Sequence, residues 1–296
     1  MVVAARQLQL KLPDGRELEV LTDGPTEGLP LIFHYGTPCA AVLFRPLVAE
    51  ATQRRLRTVV YSRPGYATST AKSGRSVADA IADVEAILGE LDVDEFVTIG
   101  WSGGGPHALA CAANLPDRCA AAVSLAGVAP FAAAGLDWMA GMGPENIEEF
   151  NLALKGEAAL TPWLQQEAKV LGQVKGPDVA AALGGLVSDV DKAALTGDFA
   201  EFLATVFQRA VSSGIAGWRD DDLAFTRDWG FDLAQIERPV AVWQGEQDRM
   251  VPFTHGQWLA EHIPNARVRL YRDEGHLSLA VKALDRIIDD VVAIAR

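Results

Sequence analysis

The sequence predicts an α/β chain: a mostly parallel, doubly wound sheet interrupted by a helical insertion. Three observations lead there. Short apolar runs, of the kind buried on both faces of a sheet, recur at residues 29–33, 57–61, 95–100, 120–125 and 239–243. Amphipathic helical patterns separate them, and such alternation favours crossover connections in a parallel sheet. From Phe131 to about Asp228 the alternation stops, leaving helical periodicity and glycine-rich turns. The division that follows is 1–130 for the first part of the core, 131–230 for a helical cap and 231–296 for the second part of the core.

Each element has its own local reason. Residues 7–12 and 17–20 alternate apolar and polar on either side of Pro13-Asp14-Gly15, the pattern of an antiparallel hairpin. The run 29–33 follows as a buried strand, then 40–56 as a helix and 57–61 as a strand. Ser76 stands where an N-cap belongs, ahead of an amphipathic helix over 77–91. Strand 95–100, helix 106–114 and strand 120–125 continue the rhythm. Helical patterns in the insertion cover 146–154, 162–174, 179–186, 199–212 and 220–226. Strand 239–243, helix 254–262, strand 267–271 and helix 280–294 complete the chain, with no internal repeat.

Composition narrows the partners. With 296 residues, 49% of them hydrophobic and 22% charged, the chain can bury one large core. A formal net charge of −13 repels nucleic acid and anionic lipid, leaving a small molecule as the expected partner of a monomer or homodimer. Three cysteines, Cys39, Cys111 and Cys119, form no disulfide framework and no metal-ligand spacing. The N-terminus lacks a signal-cleavage pattern, and no apolar run is long enough to span a bilayer. A reduced, cytoplasmic protein is the expectation.

Gly100-Trp101-Ser102-Gly103-Gly104 fits G-x-S-x-G between a buried strand and a helix. A nucleophile there sits on a tight, strained turn that needs glycine on either side, and the following helix directs its N-terminal N–H groups at it. A serine hydroxyl needs a base, and the base an orienting acid. Of the five histidines, His107 falls inside the helix after the serine, His255 and His262 on or beside a late amphipathic helix, and His34 too early in the chain. His276, in the loop after the last strand, is the candidate base. Asp248, in the loop after residues 239–243, is the candidate acid, with Glu246 in the same turn as its rival.

These residues resemble the α/β-hydrolase superfamily, in particular its capped esterase, lipase and C–C hydrolase members. The resemblance spans essentially the whole chain and is most specific at Tyr35-Gly36-Thr37-Pro38, Gly100–Gly104, Gly245–Asp248 and Gly275-His276. It implies Ser102, Asp248 and His276 as a catalytic triad, and the backbone N–H groups of Thr37 and Gly103 as the oxyanion hole. Tyr35 stands where the family's loop usually has histidine, so the hydrogen bonding of that loop departs from the pattern. The Tyr61–Tyr66 segment is similar to the family's D-x-R-G-x-G stretch, with Ser62 in the aspartate position, and reads as structural. Neither metal nor organic cofactor is implied. A serine at 102 excludes the relatives that use an aspartate nucleophile.

The expected activity is hydrolysis of a carboxylic ester or similar acyl bond through an acyl-serine. Two alternatives stay open: cofactor-free perhydrolase or haloperoxidase-like acyl transfer, and a ligand receptor on a hydrolase scaffold. The insertion is expected to close over Ser102, its first helices presenting Trp138, Met139 and Met142 to the pocket beside Tyr35 and Trp101. Aromatic and thioether walls suit a small-to-medium neutral group. Cys39, directly after the Tyr35–Pro38 loop, reads either as a small buried residue or as a redox-sensitive group at the site mouth.

Overall fold

Alternating apolar side chains start the fold. Strands β1 (Val3–Lys11) and β2 (Glu17–Gly24) pair antiparallel, with Leu10 opposite Leu18 and Leu8 opposite Val20, so the hairpin's apolar side chains share one face. Strands β3 (Leu29–His34), β4 (Leu56–Tyr61), β5 (Phe96–Trp101), β6 (Cys119–Leu125), β7 (Val240–Gly245) and β8 (Arg267–Tyr271) follow. In this computed structural model, described over residues 3–296, they form one eight-stranded sheet in the order β1-β2-β4-β3-β5-β6-β7-β8. Only β2 runs against the others. Every residue of β4, β5, β6 and β7 is buried, as strands covered on both faces must be. Edge strand β8 alternates Arg267 and Arg269 with valine and leucine, and such charges discourage edge-to-edge pairing.

Helices α1 (Arg45–Gln53), α2 (Ala80–Leu91) and α3 (Gly105–Asn114) lie between the early strands. The connection from β6 to β7 carries the insertion: α4 (Pro144–Leu154), α5 (Glu157–Leu171), α6 (Val179–Ala182), α7 (Asp189–Ala194), α8 (Gly197–Val211) and α9 (Ala216–Phe225). Helix α10 (Phe253–His262) separates β7 from β8, and α11 (His276–Lys282) and α12 (Leu284–Ile294) close the chain.

Four local expectations need correction. The helix expected over 40–56 begins only at Arg45, with Pro46 in its first turn, where a missing N–H costs nothing. The stretch before it stays irregular because tertiary partners satisfy its backbone: Ser62 Oγ accepts from Ala41 N–H at 2.9 Å and Tyr35 donates to the Val42 carbonyl at 2.7 Å. Helix α2 begins at Ala80, and Ser76 is a donor to Asp79 rather than its N-cap acceptor. Pro162 lies inside α5 instead of starting it, and α7 was not anticipated. Finally, the single last helix is two, divided at Ala283, because α11 is anchored at its own N-terminus while α12 turns its Leu284, Ile287, Ile288 and Val291 stripe into the core.

One buried cluster ties the insertion to the core. Asp221, on α9, receives Arg63 and Arg75 at 2.6 Å each, and both Tyr66 Oη and Thr37 Oγ1 donate to it at 2.8 Å. Burial alone would raise this carboxyl; the two guanidinium groups more than reverse that and hold it well below the usual carboxylate range. Asp221→Ala leaves both arginines without their counter-charge and is expected to cost about 3–5 kcal/mol. Urea denaturation checks this as a lower midpoint at an unchanged slope.

Candidate active site

Ser102 follows β5 directly and has φ +58°, a conformation that few residues with a side chain adopt. Its neighbours explain how the turn closes. A Cβ on Gly100 would collide with the Gly104 carbonyl, and one on Gly104 with the carbonyl of His34. A tight 3₁₀ turn at Ser102–Gly104 then runs into α3, whose N-terminal N–H groups and dipole face the serine. Strands β3 and β5 are neighbours from which the chain departs toward opposite edges of the sheet. The crevice at such a switch point is where open α/β sheets bind ligands. Here it brings the Tyr35–Pro38 loop beside Ser102.

His276 and Asp248 meet beyond the ends of the neighbouring strands β7 and β8. His276 Nδ1 lies 2.7 Å from Asp248 Oδ2, and both residues are almost fully buried. Asp248 is itself held: its Oδ1 accepts from the Met250 and Val251 N–H groups at 2.8 Å, and its Oδ2 from Gln244 Nε2 at 3.0 Å. Burial disfavours a charged imidazole, but Asp248 outweighs it, so the His276 pKa lies above its ordinary value. The carboxylate therefore fixes Nδ1 as the protonated nitrogen and leaves Nε2 free to accept a proton. Glu246 is exposed, and Asp248 is the carboxylate that reaches the ring. Ser102 and His276 line the same cavity.

The remaining histidines are accounted for elsewhere. His255 Nδ1 accepts from Ala129 N–H at 3.0 Å and its Nε2 donates to the Trp138 carbonyl at 2.8 Å, which keeps it neutral, with burial lowering its pKa to about 4. His107 donates to the Gly103 carbonyl at 2.9 Å, and burial takes its pKa to about 3. His34 packs against Tyr61 and is also held neutral by burial. His262 stacks on Trp258 at the surface.

The cavity has a volume of about 130 Å³ and is lined at its base by Thr37, Cys39, Trp101, Ser102, Gly103 and His276. Trp101 stacks on the His276 ring at 5.7 Å. Burial pushes the Cys39 thiol up to about 12, which keeps it protonated and favours the packing reading of that residue. Four expected pocket residues lie elsewhere. Tyr35 points away to Val42, and Trp138, buried against Phe131, Phe150 and His255, donates to the Ala129 carbonyl. Met139 and Met142 pack against the core, and the segment carrying these three forms turns rather than helices. The insertion's contribution to the wall comes instead from α4, α5, α8 and α9, through Phe150, Trp163, Phe207, Trp218 and Phe225 among others.

Two positioning devices escaped the sequence reading. Arg63 donates to the carbonyls of Tyr35 and Gly36 and to Thr37 Oγ1 while paired to Asp221, so it clamps the loop beside Ser102. Asp191, from α7, accepts the N–H groups of His276, Leu277 and Ser278 at 3.1, 2.8 and 2.9 Å. It caps α11, and with it the backbone that carries the candidate base. Only the arginine within the Tyr61–Tyr66 segment and the Ser188-x-x-Asp191 spacing hinted at either.

The fold and this site define an α/β-hydrolase. Residues 30–283 match the family described as alpha/beta hydrolase fold, and the chain belongs to it. It is 28% identical over 275 residues to a non-heme chloroperoxidase of Streptomyces lividans, covering 89% of this chain and 90% of that protein. It is 26% identical over 244 residues to a pimeloyl-[acyl-carrier protein] methyl ester esterase of Aromatoleum aromaticum, covering 80% and 88%. The solved enol-lactonase from Burkholderia xenovorans LB400 superposes with a TM-score of 0.67 at 18% identity, over 97% of this chain and 99% of that one. Among the described residues no helix is long and apolar enough to cross a membrane.

Two outcomes follow from this geometry. Asp248→Asn, which invites the wrong histidine tautomer, is expected to lower kcat by about four orders of magnitude, while Glu246→Gln leaves it within about twofold; steady-state kinetics on any turned-over ester compares them. Asp191 adds negative charge near His276 and raises its pKa further. A histidine acting as the base works only when neutral, so with His276 in that role activity is expected to rise with pH through its pKa. Asp191→Asn shifts that acid limb to lower pH and, by loosening the loop, costs roughly ten- to a hundredfold in kcat; a pH–rate profile reads both.

Proposed function

We propose that this protein hydrolyses a carboxylic ester, or a similar acyl bond, of a small-to-medium substrate through an acyl-serine intermediate. The observation that carries the reading is the 2.7 Å Asp248–His276 contact at a cavity also lined by Ser102, Gly103 and Thr37. Ser102 attacks the carbonyl while His276 Nε2 takes its proton, and Asp248 stabilises the imidazolium that results. The N–H groups of Thr37 and Gly103 bind the developing oxyanion, a term usually worth two to three orders of magnitude, roughly, per donor. Water then releases the acid by the same route in reverse. The esterase relative supports ester chemistry.

Size limits the substrate. A cavity near 130 Å³ is comparable to those that hold a benzene-sized group, so each methylene that fits contributes about 0.8 kcal/mol until the space is full. A cytoplasmic setting suits three cysteines that are free and buried. A second reading, transfer of the acyl group to hydrogen peroxide, is favoured by the similarity to a chloroperoxidase. It uses the same acyl-serine, and competition between water and peroxide for the acyl group separates the two.

Ser102→Ala is expected to abolish fluorophosphonate labelling and reduce ester turnover by roughly five to six orders of magnitude. Circular dichroism checks that the variant is folded. Labelling retained in that variant assigns the nucleophile elsewhere.

A further inference from the structure

Three successive aspartates on α9 meet different fates. Asp220 pairs with Arg219 at 2.8 Å, and Asp221 is held between Arg63 and Arg75. Asp222 pairs with no cation among the described residues: its Oδ2 receives no hydrogen bond although the residue is only 1% exposed, and it lines the cavity that contains Ser102. Glu149 of α4 faces it closely enough for the two to share a proton, and takes the Trp218 indole N–H on its other side. Burial drives both carboxyls up, Glu149 to about 7. Glu167 faces the pair from α5, Asp221 from its own helix and Arg75 from the segment before α2; the last two already neutralise one another. Glu145 adds a further carboxylate to the same wall, with a second buried oxygen that no donor reaches. Among the described residues the cavity lining contains no lysine or arginine, while Phe150, Trp163, Trp218 and Phe225 supply aromatic rings.

The negative charge left when this pair ionises meets no cation in the apolar cavity, which is costly, and a neutral ligand leaves that cost in place. We propose that the substrate of the Ser102 site carries a protonated amine, which binds between Glu149, Asp222 and the aromatic rings while its acyl bond lies at Ser102. The inference rests on the hydrolase reading and narrows it. A carboxyl pair without a cationic partner selects an ammonium that bears an N–H, the rings add cation–π attraction, and the displaced proton leaves with solvent. The same wall repels substrates that carry a free carboxylate. The expectation of a neutral substrate rested on Trp138, Met139 and Met142, which lie outside the cavity.

Isosteric ester pairs test it: dimethylaminoethyl acetate against isopentyl acetate for the alcohol side, and ethyl dimethylaminobutanoate against its carbon isostere for the acyl side. In one of the pairs the ammonium ester is expected to show a kcat/KM at least about tenfold higher, chiefly through KM. Glu149→Gln and Asp222→Asn, which keep shape and remove charge, are expected to bring that ratio close to one. A ratio at or below one for both pairs in the wild-type protein overturns the inference, as does a preference that both variants retain. Calorimetric titration of the same esters into Ser102→Ala reads ammonium binding without turnover. Tighter binding of the ammonium ester there, with no hydrolysis or fluorophosphonate labelling of the wild-type protein, keeps the ammonium site and rejects the hydrolase reading.

Discussion

The buried carboxylate of Asp221 sets a constraint that much of the remaining architecture obeys. It holds Arg63, and Arg63 in turn holds the carbonyls of Tyr35 and Gly36 in the loop beside Ser102. Neither charge can be buried alone at tolerable cost, so α9 of the insertion and the loops after β3 and β4 must reach their places together. Thr37 is drawn in as well, its hydroxyl donating to the same carboxylate. The loop that carries Thr37, one backbone donor of the proposed oxyanion hole, is thus held from the insertion side rather than by the sheet alone.

The histidine side repeats the arrangement with a different carboxylate. Asp191, also from the insertion, takes three N–H groups at the start of α11 and so fixes the segment that presents His276. Such capping satisfies donors that a helix N-terminus otherwise leaves open. Asp248 then has only to orient a ring whose backbone is already placed. Both halves of the site therefore depend on the insertion for position as well as for wall, which links its packing to the chemistry of the core.

Carboxylates play three physical parts within a short distance. Asp221 is saturated with cations, Asp191 with backbone N–H groups, and Asp222 with neither. The contrast explains why net charge is a poor guide to the pocket. A charge of −13 spread over a surface says little, whereas one carboxyl pair without a cationic partner inside an aromatic cavity bears directly on what the cavity accepts.

Much of the fold was legible along the chain because its signals are local. Period-two leucines in the hairpin, unbroken apolar runs at β3 to β7 and the serine turn flanked by Gly100 and Gly104 each depend on neighbours a few residues away. Chain order likewise singled out Ser102, Asp248 and His276 as a set, and the folded chain brings Asp248 to His276 and places Ser102 on the same cavity. The pocket wall was not legible. Trp138, Met139 and Met142 have the composition of a wall, yet their segment turns them into the core, while the carboxylates of α4 and α9 face the cavity. Helix limits near Arg45 and Ala283 failed for a related reason, since Tyr35, Ser62 and Asp191 satisfy or anchor the backbone there from a distance. Local periodicity determined which residues form strands and helices and where a nucleophile could stand. Which charges are paired, and which remain open to a ligand, was decided only by contacts such as Thr37 to Asp221, 184 positions apart, because the cost of burying a charge depends on what surrounds it in space and not on what precedes it in the chain.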